Sequence, residues 1–165
     1  MPKVIDVNRI YKCTLQVFVE RGYEAATTRE IAERAGVNEA TLYRRFNTKA
    51  ELIRTALEHE LGDSPFGNLK GSDDTHADIA MIVRSYIETF EVFGAVVMAV
   101  MGNMTKHPET QGAASALMPN LKAAAQIIAT HQAAGNITAG NPLAKLLQLI
   151  APLAMMGVLG RSGMA

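Results

Sequence analysis

Apolar residues recur at spacings of three and four along most of this chain, and that period places them on one face of an α-helix. The longest stripe joins Ile79, Ile82, Val83, Tyr86, Ile87, Phe90 and Phe93. Glycine, serine, asparagine and proline are concentrated between the stripes, above all at residues 62–75, where they predict a loop and a domain boundary. The pattern therefore predicts an all-α protein.

Two short helices with a tight turn between them are predicted within residues 27–46, TTREIAERAGVNEATLYRRF. Thr27 and Glu30 fit the capping box that opens a helix. Gly36 suits the left-handed conformation that closes one, and Asn38 is a good N-cap for the second helix. A glycine-containing turn of three or four residues is typical of a helix-turn-helix.

The second of these helices has two unlike faces. Leu42 and Phe46 fall on one face, where they can pack on apolar residues of the first helix. The opposite face and its flanks carry small, hydroxyl and basic residues, namely Ala40, Thr41, Tyr43, Arg44 and Arg45. Arginine can bind guanine through two hydrogen bonds, and a tyrosine hydroxyl suits a phosphate, so this face is predicted to read DNA. The alternative is a helical hairpin whose charges are only solvated.

Flanking residues extend the motif to FxxxGYxxxTTxxxIAxxAGVxxxTLYxxFxxKxxL, and this pattern, over about residues 5 to 61, resembles the N-terminal domain of the tetracycline-repressor (TetR) family. The resemblance implies phosphate contacts by Thr27 or Thr28, Thr41, Tyr43 and Lys49. It also implies that sequence preference is set by Asn38, Glu39, Ala40 and Arg44. Arg29 and Arg45 complete the predicted DNA-binding set. Arg45 and Glu39 depart from the commonest family pattern, which affects the operator sequence.

That family consists of homodimeric, all-helical bacterial regulators, mostly repressors, in which a C-terminal domain binds a small effector and releases DNA. The resemblance thus predicts a three-helix DNA-binding domain at residues 1–47, which helix 4 links to a helical regulatory and dimerisation bundle at residues 48–165. It predicts as partners a double-stranded, pseudo-palindromic operator, a small apolar effector and a second copy of the chain.

Charge and chemistry agree with this interpretation. Residues 1–54 carry ten Lys/Arg against seven Asp/Glu, so the excess of positive charge lies in the part with the motif. Cys13 is the only cysteine, which predicts a reduced cytoplasm and no intramolecular disulfide, and no signal peptide opens the chain. Scattered histidines predict no metal site, and no catalytic motif or cofactor-binding loop is present, so an enzyme is not expected.

Methionine is concentrated in the predicted regulatory half, which holds eight of the nine. Flexible thioethers suit a pocket for apolar ligands, although ordinary core packing is the alternative. The candidate effector-binding residues are Met81, Phe90, Phe93, Met98, Met101, Met118, Leu121 and Ile128. Acidic residues are absent after Glu109, which favours neutral or weakly anionic effectors. His107 and His131 are possible polar contacts, with surface or capping roles as the alternative.

The last predicted helix, residues 142–159, has almost no polar side. A membrane span is the competing interpretation, but the uncharged run of fifteen residues contains Pro152 and is shorter than the roughly 20 that a span requires. We therefore expect no membrane and assign one face to the core and another to a dimer, with interface candidates Leu146, Leu149, Ile150, Leu153 and Met156. The TetR resemblance implies one more helix in that interface, so either it is built differently or the chain is shortened. A helical protein-interaction module without DNA binding remains the alternative function.

Overall fold

The computed structural model describes residues 6–161, and every regular element within that range is a helix. There are eight α-helices in this range and two short 3₁₀ turns, at Pro65–Gly67 and Pro108–Thr110. The α-helices are α1 (Val7–Ala25), α2 (Thr28–Ala35), α3 (Glu39–Phe46), α4 (Lys49–Gly62), α5 (Thr75–Asn103), α6 (Gln111–Ser115), α7 (Met118–Ala133) and α8 (Pro142–Arg161). The predicted all-α class is confirmed.

The chain forms two compact units, which do not follow chain order. The first contains residues up to 60 together with 95–117, and the second contains 61–94 together with the chain from 118 onward. The predicted functional domains, 1–47 and 48–165, divide the chain elsewhere and stay a prediction. The difference arises because α5 contributes its last turns to the first unit and its longer, earlier part to the second.

In the first unit, α1 packs on α2 and α2 packs on α3 around a small apolar core. Its fully buried apolar side chains include Ile10, Val17, Phe18, Ile31, Leu42, Leu52, Ile53, Ala56, Leu57 and Val100. Cys13 is half-buried in α1. Gly22 interrupts α1 with a φ of 74°, so the last residues of this helix turn away before α2 begins.

In the second unit, α7 packs on α8 and on the 3₁₀ turn at Pro65–Gly67. The buried core there consists of Phe66, Ile82, Ala124, Ala125, Ile127, Ile128, Leu146 and Ile150. A polar pair is buried as well, since His131 Nε2 lies 2.8 Å from Asp78 Oδ2 with both side chains under 5% exposed. The surface alternative for His131 is therefore wrong, because its side chain is buried against Thr75 and Asp78 in the first turn of α5.

The stripe from Ile79 to Phe93 belongs to a longer helix, since α5 continues through Gly94 to Asn103. The next segment forms two helices, α6 and α7, with Pro119 in the first turn of α7. The last helix extends to Arg161, so its 20 residues are long enough to span a membrane. Length and composition allow the same for α5, but core helices of soluble proteins pass this test too.

Candidate nucleic-acid interface

Side-chain and backbone caps at three positions fix the geometry of α2 and α3. Thr27 Oγ1 accepts a hydrogen bond from the Glu30 amide at 3.1 Å, which opens α2. Gly36 closes α2 in the left-handed conformation, with a φ of 72°. Asn38 Oδ1 then accepts from the Ala40 amide at 2.8 Å and opens α3. All three predicted caps are confirmed, and together they produce the helix-turn-helix.

The predicted packing faces of the two helices are buried as expected. Ile31, Ala32 and Ala35 on α2 and Leu42 and Phe46 on α3 are each at most 6% exposed. The Phe46 ring also meets Tyr11 of α1 edge to face, with centroids 6.0 Å apart. Because Leu42 and Phe46 hold one side of α3 against the core, the other side of the helix is left to solvent.

That solvent face carries most of the residues predicted to contact DNA. Ala40, Arg44 and Arg45 are exposed, Tyr43 is 53% exposed, and Thr41 is half-buried. No ion pair is described for Arg44 or Arg45 within residues 6–161, whereas Arg34 and Arg21 are paired with Glu20 and Glu30. Two basic charges for which no carboxylate partner is described thus lie on the predicted reading helix.

Arg29 has a weak partner. Its Nε lies 3.1 Å from Glu33 Oε1 one turn along α2, with the two side chains 78% and 66% exposed. Exposed pairs of this kind contribute little to stability and are screened by salt. Arg29 can therefore exchange its carboxylate for a phosphate at small cost.

A hydrogen-bond chain that the sequence did not predict joins α2 to α3. The Thr28 hydroxyl donates to Glu39 Oε1 at 2.6 Å and lies 3.2 Å from the Tyr43 hydroxyl. A hydroxyl has one proton to give, so Thr28 donates to the carboxylate and accepts from Tyr43. Thr28 is buried, and this chain holds Glu39 and Tyr43 in place. The only sign of this chain in the sequence is that Glu39 and Tyr43 are four residues apart, and so lie on the same face of α3.

Lys49 was expected to reach a phosphate, but the structure turns its ammonium toward the end of α1. Nζ donates to the carbonyl oxygens of Tyr23 and Ala26, the latter at 3.0 Å, and lies 4.3 Å from the centroid of the Tyr23 ring. Burial lowers the pKa of Lys49, and the nearby Glu109 and Glu24 oppose that shift. An ammonium has three donors, so one is left beyond the two bonds described here.

The predicted effector residues are divided between the two units. Met98 and Met101 belong to the first unit and are about half exposed, whereas the other six belong to the second unit. Within the second unit, Ile128 is part of the buried core, against which Met81 and Leu121 pack. The described residues also contain no group of three His, Cys, Asp or Glu that could hold a metal ion.

The predicted interface residues of α8 separate into two groups. Leu146 and Ile150 lie in the core and Leu149 packs against it, so they support the fold of one chain. Leu153 is half-buried, and Met156 is 68% exposed. Met155, at 61% exposed, extends that outer apolar face, although it was not among the predicted interface residues.

Comparison with known proteins gives the same picture as the geometry. Residues 10–56 match the family model described as bacterial regulatory proteins, tetR family. An uncharacterised HTH-type transcriptional regulator of Bacillus subtilis, YvkB, is 34% identical over 83 residues, which is 50% of this chain and 44% of that protein. The HTH-type transcriptional activator FasR of Mycolicibacterium smegmatis is 37% identical over 75 residues, covering 46% of this chain and 34% of FasR.

These matches cover less than half the length of either relative. Over a longer stretch, the fold is similar to that of the fatty acid degradation regulator FadR from Bacillus halodurans, with a TM-score of 0.73 over 95% of this chain and 82% of that one. At 18% identity this likeness concerns the fold alone. The relatives are transcriptional regulators and not enzymes. The helix-turn-helix of this chain thus lies in the segment, residues 10–56, that matches the tetR family of bacterial regulatory proteins.

Proposed function

We propose that this protein is a transcriptional regulator that binds double-stranded DNA through α3. The observation that carries the proposal is the exposed face of α3, where Tyr43, Arg44 and Arg45 surround the small residue Ala40. A small side chain at the centre allows the helix to approach base edges closely, while the arginines supply the donors that guanine and phosphate accept.

The proposed form on DNA is a homodimer on a pseudo-palindromic operator. Two supports are available. A single reading helix covers only a half-site, so two copies related by a two-fold axis match the usual operator geometry. In addition, only 11% of the residues in the most apolar 18-residue stretch of α8 are buried, and a partner would cover the outer face of this helix. Met156 and Leu153 are the predicted interface residues that this face offers.

Release by a small hydrophobic effector completes the proposal, with the cytoplasm as the compartment and no membrane. Most members of the family are repressors, whereas the relative FasR is named an activator. We propose repression, and reporter expression from the operator with and without the protein distinguishes it from activation. The alternative is a helical protein-interaction module that has kept the fold without operator binding. The exposed, unpaired arginines of α3 favour DNA.

Selection of genomic fragments by the purified chain tests the proposal. We expect enrichment of one pseudo-palindromic sequence, protected from nuclease over two half-sites. No enrichment by a chain that circular dichroism shows to be folded would favour the interaction module.

Variants of Arg44 test the reading face itself. Arg44→Ala should cost about 1–3 kcal/mol of binding and relax the preference at one base pair, because a bidentate contact to guanine is lost. Arg84→Ala, which removes an exposed arginine of the second unit, should leave both unchanged. An equal loss of affinity for every base at that position would show that Arg44 does not read a base.

A further inference from the structure

A cleft of about 390 Å³ lies in the second unit between α5 and α8. Its walls are mostly apolar, with Tyr86 and Phe90 from α5 and Leu153 and Met156 from α8. The volume falls in the range of small-molecule sites. Of the residues predicted to bind an effector, only Phe90 lines this cleft, so it is a different location from the methionine-rich one expected.

The rings of Phe90 and Tyr86 form the aromatic floor of the cleft, and two glycines leave the space that the Phe90 ring occupies. A methyl group at Gly157 would lie 2.7 Å from a ring carbon of Phe90, and one at Gly94 would lie 2.9 Å from the same ring. The Phe90 ring therefore fills the space that side chains at these two positions would need. It also stacks on Tyr86, with centroids 5.8 Å apart and an interplanar angle of 25°. The floor is thus a flat, well-packed aromatic surface.

A fixed cation stands at the edge of this floor. Arg161 Nη2 donates to the carbonyl oxygens of Phe90 and Glu91, the latter at 3.3 Å, and its Cζ lies 5.1 Å from the Phe90 centroid. Three contacts hold the guanidinium, which reduces the entropy that a ligand must overcome to use it. A guanidinium has five N–H donors, and the described bonds involve Nη2 alone, so those of Nε and Nη1 remain.

We propose that this cleft binds a small amphiphilic carboxylate, with its apolar tail on the Phe90 and Tyr86 rings and its head on Arg161. Planar, two-pronged pairing makes arginine the side chain best suited to a carboxylate. Glu91 is also among the lining residues, and its carboxylate repels anions more strongly as their charge rises, so a single negative charge is favoured over two. The assignment deepens the proposed effector function and depends on it for its regulatory meaning.

Calorimetric titration of the whole chain, without DNA, tests the head-group preference. Octanoate should bind with one site per chain, octanol more weakly, and octylammonium least of all. Hexanoate should bind about 15-fold more weakly than octanoate, because each methylene contributes about fourfold. Equal binding of all three eight-carbon heads would show an unspecific apolar patch and overturn the proposal.

Variants locate the site. Arg161→Gln should weaken octanoate binding at least tenfold, while Lys122→Gln, which removes an exposed charge from α7, should not change it. In case Arg161→Gln disturbs the fold, Ile87→Glu and Ile87→Gln form a second pair, because Ile87 lines the cleft and is 40% exposed. Only the carboxylate variant should repel octanoate strongly. Identical affinities in the two Ile87 variants would contradict the assignment.

A second copy of the chain is the competing occupant of the cleft, because Leu153 and Met156 are also the proposed dimer-interface residues. Sedimentation run beside the titration separates the two: a dimer that binds no octanoate at millimolar concentration would overturn the proposal. Failure of DNA binding is a separate result. Octanoate binding without operator binding would support the cleft assignment and contradict the regulatory function. Operator binding without octanoate binding would support DNA recognition and overturn the cleft assignment.

Discussion

The half-buried ammonium of Lys49 is expected to hold the end of α1 in place. Lys49→Met keeps the aliphatic stem and removes the charge that donates to the carbonyl oxygens of Tyr23 and Ala26. Both of those residues are at most 7% exposed, so water cannot easily replace the lysine. Each buried carbonyl left without a donor costs about 1–3 kcal/mol, and relief of the ammonium's desolvation offsets part of the sum. We expect a net loss of about 3 kcal/mol.

Hydrogen exchange, followed by mass spectrometry on peptides covering residues 15–30, measures this loss where it occurs. About 3 kcal/mol corresponds to roughly 150-fold faster exchange of the protected amides. The control variant Lys12→Met, at an exposed position of α1, should change the exchange rates of these amides little. Unchanged exchange in Lys49→Met, together with weaker DNA binding, would refute the reasoning and make Lys49 a phosphate contact alone.

Two further predictions concern a backbone position and a buried charge. Gly36→Ala should lower the free energy of unfolding in urea by about 1–2 kcal/mol, because the φ of Gly36 is 72°. Gly62→Ala is the control and should be neutral or stabilising, since open space surrounds Gly62. Equal effects of the two substitutions would contradict the left-handed turn at Gly36. Burial alone would raise the pKa of Asp78, but hydrogen bonds from Ser72 and His131 outweigh it and lower that pKa. A carboxylate with a lowered pKa stabilises the fold above its unfolded pKa and loses that contribution as pH falls through the folded value. Asp78→Asn should therefore flatten the acid limb of the stability curve below about pH 4, and an unchanged limb would argue against the pair.

Local signals in the sequence were sufficient for the helix-turn-helix. Each of the caps at Thr27, Gly36 and Asn38 forms its hydrogen bond with a residue only a few positions away in the sequence. Such a cap can be recognised from residue type and spacing alone. The caps at Thr48 and Asn141 are of the same local kind, each accepting from an amide three residues later at 3.1 Å. Their geometry does not depend on any distant part of the chain.

Contacts between distant residues could not be predicted in this way. The Thr28 hydroxyl meets Glu39 and Tyr43 only because α2 and α3 cross, and Lys49 meets the end of α1 only because Gly22 turns the chain there. His131 illustrates the same limit, because its burial depends on Asp78, 53 positions away. Periodicity marks the face on which a residue lies, and tertiary packing decides what it meets.

Salt dependence of operator binding tests the central claim most directly. A dimer that places Arg29, Arg45 and the third N–H donor of Lys49 of each chain on phosphates neutralises about six of them, and the slope of log affinity against log salt should then be about −5. We would titrate the selected fragment by gel shift from about 50 to 200 mM salt, with Arg45→Ala as the comparison, which should reduce the slope by about two. Saturable binding with that slope is the result predicted. A slope near zero, or no binding by the folded dimer, would contradict DNA recognition by this chain.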